Sequence, residues 1–154
     1  MIEIFKLDQN GFDMTAFHEG CKLKPYPDSK CIPTIGIGTT IYPNGKLVSL
    51  TDLEITLSQA YEFFNYYLEK NIYPWFEKNL KWQPTQNEFN ALIDFLYNTG
   101  VGKKFNSYVH TKEAIINGNK DIIIAGMLSI DSILLHKRRQ NEVSMFKNGT
   151  WIKW

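Results

Sequence analysis

Two carboxylates and a hydroxyl, Glu19, Asp28 and Thr34, fall in the stretch HEGCKLKPYPDSKCIPTIGIGTT at residues 18–40. Gly20 follows the amphipathic run Gly11 to Phe17 and is placed to supply the left-handed residue that ends a helix. Glu19 then sits in the last turn, where the negative end of the helix dipole disfavours a carboxylate and favours the protonated carboxyl. A general acid needs such a group. Asp28, in the polar turn Pro27-Asp28-Ser29, is placed to stay ionised, as a base or as a charge stabiliser. Two carboxylates in contrasting environments form the arrangement that cleaves glycosidic bonds. Taken singly, each residue has a plainer reading: a surface carboxylate near a helix end, a turn aspartate, a strand threonine.

The pattern Glu19-Gly20, Leu23, Tyr26, Asp28, Thr34-Ile35-Gly36-Ile37-Gly38 closely resembles the phage-type lysozymes, the endolysins of glycoside hydrolase family 24. Further matches are Ile55-Thr56 with Gln59-Ala60, Gln86 with Ala91-Leu92, Phe95 and Asn98-Thr99-Gly100, and Arg138-Arg139-Gln140 with Glu142 and Phe146. The resemblance implies hydrolysis of the β-1,4 bond between N-acetylmuramic acid and N-acetylglucosamine in bacterial peptidoglycan, with no cofactor. It implies catalytic roles for Glu19, Asp28 and Thr34, the Thr34 hydroxyl helping to place the attacking water. Thr40, Tyr97, Asn98 and Ser107 match positions that line the sugar-binding cleft; capping and packing explain them equally well. Arg138 matches the arginine that reaches and orients the catalytic Glu, which would favour the ionised form against the dipole. Its plainer reading is an i, i+4 pair with Glu142 on a solvated helix face. Three departures stand outside the catalytic trio: Leu128-Ser-Ile-Asp-Ser132 where the family carries a Trp, Ser107-Tyr-Val for Ser-Thr-Leu, and Thr39 where His is frequent.

The elements that must position these residues are expected to form the α+β, lysozyme-like fold that the resemblance implies. A small antiparallel β-sheet lobe (about 12–56) and a larger helical lobe (about 74–154, with the N-terminal segment) are joined by a long helix (about 57–73), with the active-site cleft between them. The first helix is expected from about Phe12 to Glu19, with residues 2–7 as an edge strand or a packed arm. Pro25 and Pro27 bar residues 23–28 from a central strand, and Ile32 to Ile37 reads as the better one. Thr39 to Tyr42 and Lys46 to Val48 flank a Pro-Asn-Gly turn as a hairpin. Thr51-x-x-Glu54 and Thr56-x-x-Gln59 are capping-box patterns that lead into a helix from about Leu57, broken or kinked at Pro74. Thr85-x-x-Glu88 caps the next, with Phe89, Leu92, Ile93 and Leu96 on one face. Ser107 is expected to cap a helix ending near Gly118, Asp121 another, and the last runs from about Asp131 to Lys147. Trp151 and Trp154 pack the tail against a lobe.

The whole chain of 154 residues, 44% hydrophobic and 21% charged, has the length and balance of one soluble domain, expected to be a monomer. A net charge of +1 argues against a nucleic-acid binder. Gly36 and Gly38 lack the Lys-Ser/Thr of a phosphate loop and read instead as close-approach glycines. His18, His110 and His136 have no ligand spacing, which argues against a metal. Neither a secretory signal nor a membrane span is visible, so the protein is expected to be made in the bacterial cytoplasm and to reach the wall through a holin or secretion machinery. Cys21 and Cys31 flank the Asp28 turn; two free thiols or a site-clamping disulfide are both open. Other readings are a lytic transglycosylase or chitin-active relative, and a non-catalytic glycan-binding domain.

Overall fold

The computed structural model describes residues 1–130 and 132–154. It is mostly helical, with a two-stranded antiparallel sheet, as expected. The chain divides into two compact units, Thr15–Lys70 and Met1–Met14 with Asn71–Trp154.

Helix α1 (Gln9–Glu19) starts earlier than expected because Asp8 accepts the Gly11 amide at 2.9 Å and caps it. Gly20 ends it at φ 71. Strands β1 (Lys22–Pro27) and β2 (Pro33–Gly36) pair antiparallel, Tyr26 opposite Thr34 and Pro27 opposite Pro33. In a pair of strands each has an outer edge, so the two prolines of β1 leave no inner ladder donor missing. Gly36 has φ 62, and a Cβ there would meet the Ala60 side chain at 3.2 Å. Glycine thus lets β2 approach α2 (Leu57–Tyr67) closely. The expected second hairpin reduces to a turn. Ile41 and Leu47 form an isolated bridge, and the Val48 amide donates to Thr40 across it. Thr51-x-x-Glu54 starts no helix. Asp52 instead accepts from the Ser49 amide at 2.8 Å and from the Tyr42 hydroxyl at 3.0 Å. Thr56 and Gln59 do form the capping box of α2.

Beyond Tyr67 the chain widens into a π-helical turn, Leu68–Ile72, and re-enters α3 (Tyr73–Asn79) with Pro74 in its first turn. The proline ring would clash with the carbonyl four residues back, and a π turn relieves such a clash without a full break.

In the larger unit, Thr85 and Glu88 form the expected capping box of α4 (Gln86–Thr99), whose residues 88–96 are all buried. Short α5 (Lys103–Asn106) precedes α6 (Val109–Asn117), α7 (Lys120–Ser129) and α8 (His136–Asn148). Ser107 does not cap α6; its hydroxyl donates back to the Lys104 carbonyl at 2.6 Å, closing α5. Asn119, not Asp121, caps α7 by accepting the Ile122 amide. Asn119 directly precedes the first helical residue, whereas Asp121 lies already in the first turn. The expected start of the last helix, Asp131, lies outside the described residues, and α8 begins at His136. Residues 2–7 form an arm: the Leu7 amide donates to the Tyr73 hydroxyl at 3.1 Å, and Phe5 meets the Phe89 ring edge-on. Trp151 ties the tail down by donating to Asn10 at 3.0 Å.

Candidate active site

In the smaller unit the Asp28 carboxylate is held by what is local to it. Asp28 Oδ1 accepts from the Lys30 and Ile32 amides, each at 2.8 Å, and its backbone pairs with Ile32 and Cys31. This Asx turn fixes the carboxylate of a half-buried residue and leaves Oδ2 outside these bonds. Cys31, inside the turn, has φ 61, the positive-φ non-glycine among the described residues.

Thr34 is 3% exposed, and its hydroxyl donates to the Ile32 carbonyl at 2.9 Å. The single proton is therefore spent, and the hydroxyl can only accept a further hydrogen bond. Glu19 is half-buried in the last turn of α1, as the sequence predicts.

Two tyrosines not counted among the site residues report on these groups. The Tyr26 hydroxyl is pushed above its usual pKa by burial first, then by the charges of Glu19 and Asp28, with Cys21 adding to them. Burial and then Glu19 push Tyr67 in the same direction. Tyr26 thus lies within electrostatic reach of both carboxylates while standing opposite Thr34 in the sheet. Its place in the quoted motif was the available signal. Tyr67, on the far side of a long loop, has none. Thr40 lies in the same unit, half-buried, its carbonyl bound by the Val48 amide.

Cys21 and Cys31 are exposed free thiols. Cys21 precedes β1 and Cys31 lies in the turn after it, so the six residues of β1 separate them. At roughly 3.3 Å per residue that is far beyond the ~7 Å limit for a disulfide. The clamping bridge is ruled out.

The other candidates lie in the larger unit. Tyr97 and Asn98 occupy the last turn of α4, both half-buried. Ser107 is exposed at the end of α5. Arg138 is not on a solvated face. It is 5% exposed, its Nε lies 2.9 Å from Asp94 Oδ1 and 3.4 Å from Glu142, and its Nη2 donates to the Asp94 carbonyl at 3.2 Å. Beside it, fully buried Arg139 grips both Glu142 oxygens at 2.5 and 2.6 Å, donates to the Ile130 carbonyl at 2.9 Å and binds Asn98 Oδ1. Its guanidinium stands 4.9 Å from the Phe95 ring centroid. Burial first, and then Asp94, push the Glu142 carboxyl well above the usual range, against the pull of Arg139 and Arg138. The signal for this network was Asp94, a charge inside the apolar run FNALIDFLYN. Among the described residues no cluster of His, Cys, Asp and Glu could hold a metal, and no helix is long and apolar enough to cross a membrane.

A mostly helical chain with a short antiparallel hairpin that carries Asp28 and Thr34 beside a helix-terminal Glu19 has a lysozyme-like fold. The protein belongs to the phage lysozyme family, whose model matches residues 16–123. An endolysin of Salmonella phage P22 is 33% identical over 101 residues, covering 63% of this chain and only 65% of that relative's length. Among solved structures, an endolysin from Escherichia coli O157:H7 phage FAHEc1 is 29% identical with a TM-score of 0.82, over 99% of this chain and 100% of the other. A P22 lysozyme variant, 23% identical with a TM-score of 0.74 over 92% and 98% of the two chains, shares the fold.

Proposed function

We propose that this chain is an endolysin-type muramidase that hydrolyses the β-1,4 bond between N-acetylmuramic acid and N-acetylglucosamine in bacterial peptidoglycan. The observation that carries the reading is the β1–β2 hairpin, which pairs Tyr26 in register with Thr34, fixes the Asp28 carboxylate in the turn between its strands and begins three residues after helix-terminal Glu19. In this reading Glu19 protonates the leaving glycosidic oxygen. Asp28, anchored through Oδ1, presents Oδ2 to a water or to the oxocarbenium-like charge of the transition state. The Thr34 hydroxyl, its proton committed to Ile32, accepts a hydrogen from that water and orients its lone pair. Arg138, held rigid by Asp94, is the group assigned to orienting Glu19. Thr40, Tyr97, Asn98 and Ser107 are assigned to the sugar chain. The wall is the site of action, reached by an export route such as a holin pore.

The test is clearing of purified peptidoglycan by the protein and its Glu19→Gln variant, with the released fragments weighed by mass spectrometry. Loss of a general acid lowers the rate by about 10²–10⁴. Wild-type release of reducing muramic ends, lost in the variant, supports the reading. Anhydro-sugar ends would point to a transglycosylase, and binding without clearing to a glycan-binding module; either withdraws the hydrolytic roles of Asp28 and Thr34.

A further inference from the structure

We infer that Arg139 is a positioning residue that sets the orientation of the Asn98 side chain, and so aims two amide donors at an oxygen acceptor of the bound glycan. The inference rests on the muramidase reading for its substrate, but its geometry belongs to the larger unit alone.

Arg139 has no freedom to do anything else. Its Nε is committed to the Ile130 carbonyl that follows α7, and its Nη1 to both oxygens of Glu142. Its flat face lies against Phe95. The guanidinium is therefore locked on three sides, and Nη2 is the group left to reach Asn98 Oδ1. A buried fork of this kind is rigid and always charged.

The consequence falls on the other half of the Asn98 amide. In a planar amide the oxygen and the nitrogen point in opposite directions, so binding Oδ1 to a fixed cation turns Nδ2 away from it. Asn98 is half-buried, and its Nδ2 donors have no protein acceptor among the described residues. Without Arg139 an asparagine at this position would present donor or acceptor with similar ease. With Arg139 the amide is held with Oδ1 toward the guanidinium, so the side turned away from it presents the Nδ2 donors. The acceptors that suit it on a glycan of this class are an acetamido carbonyl and a ring hydroxyl oxygen.

Two variants and a spectrum test this. Asn98→Asp keeps an oxygen for Arg139 and removes the donors. Arg139→Lys keeps the charge beside Glu142 and removes the fork. Each is expected to raise KM on glycan strands roughly 5–10-fold, the size of one lost hydrogen bond, with kcat held. The double variant is expected to be no worse than the poorer single one, since both remove the same contact. If the acceptor is the acetamido carbonyl, the Asn98→Asp penalty vanishes on de-N-acetylated strands; if it is a hydroxyl, the penalty persists. Additive losses in the double variant would overturn the inference.

An activity-independent readout separates this inference from the enzymatic one. In the free protein, the side-chain amide signals of Asn98, assigned by their loss in Asn98→Asp, are expected to shift or average in Arg139→Lys. Unmoved signals overturn the positioning role whether or not the protein cleaves peptidoglycan. Moved signals in a protein that cleaves nothing would leave it standing while the muramidase reading falls. Should Arg139→Lys fail to fold, wild type decides: the Asn98 Nδ2 protons must shift when glycan strands are added, and their failure to do so while other signals move sinks the proposal.

Discussion

The protein holds two sets of acidic side chains by opposite means. In the smaller unit, Glu19 and Asp28 are half-buried, and Asp28 is fixed by backbone amides two and four residues away. In the larger unit, Asp94 and Glu142 are completely buried, and their partners are arginines. The Arg138–Asp94 contact spans forty-four positions in sequence. Backbone anchoring of one oxygen leaves the other available to a reactant. Enclosure between guanidiniums leaves nothing available, but removing one member strands the rest. A carboxylate of the first kind is expected to be dispensable for folding and suited to chemistry. One of the second kind is needed for folding and reaches function only through what it holds in place.

The contrast breaks most visibly at Asp28. Asp28→Asn retains the Oδ1 that receives the Lys30 and Ile32 amides, so the turn and the melting temperature are expected to stay as they are. Activity is expected to fall by about 10²–10⁴ if the charge activates water. A variant that clears peptidoglycan at the wild-type rate would reduce Asp28 to a turn residue. At the opposite pole, Asp94→Leu takes away the carboxylate 2.9 Å from buried Arg138 and leaves that arginine short of a counter-charge in a closed interior. Breaking a buried pair in this way costs about 3–5 kcal/mol, which calorimetry or denaturant titration would register directly. A loss below about 1 kcal/mol would mean that the arginine finds water, and the two sets would no longer differ in kind.

What was legible in the sequence follows the same division. Thr56 with Gln59 and Thr85 with Glu88 were readable because a capping box closes within one turn. Glu19 at a helix end before Gly20, and Gly36 as a close-approach glycine, were readable for the same local reason. Caps with several local competitors went wrong by a few positions: Asp8 rather than a start near Phe12, Asn119 rather than Asp121, and Ser107 turned back onto Lys104. Arg138 and Glu142 at i, i+4 spacing looked like a solvated pair because the sequence around them is polar. Their burial comes from α4, and the sequence signal for it is Asp94, a charge inside an apolar run. The interior ion network is invisible locally since each of its links needs a partner brought in by the fold.

The smallest effect is the one that most sharpens the comparison. Burial and Asp94 raise the Glu142 carboxyl well above its usual range, although Arg139 and Arg138 face it from the same helix and Asn98 shares Arg139. Between the ordinary glutamate value, about 4.3, and its folded value, the native state keeps a proton that the unfolded chain has lost. Stability from this group therefore falls as pH rises through that interval and levels off above it. Glu142→Gln has no proton to lose, so its stability relative to wild type is expected to climb with pH over the same interval, by up to about 1.4 kcal/mol per pH unit. Melting temperatures of both proteins from pH 4 to pH 8 give the difference directly. A constant difference would mean that the two guanidiniums outweigh desolvation and that Glu142 ionises as it does in the unfolded chain. The larger unit would then hold a fully ionised quartet, and its carboxylates would stand apart from Asp28 through their burial and their arginine partners.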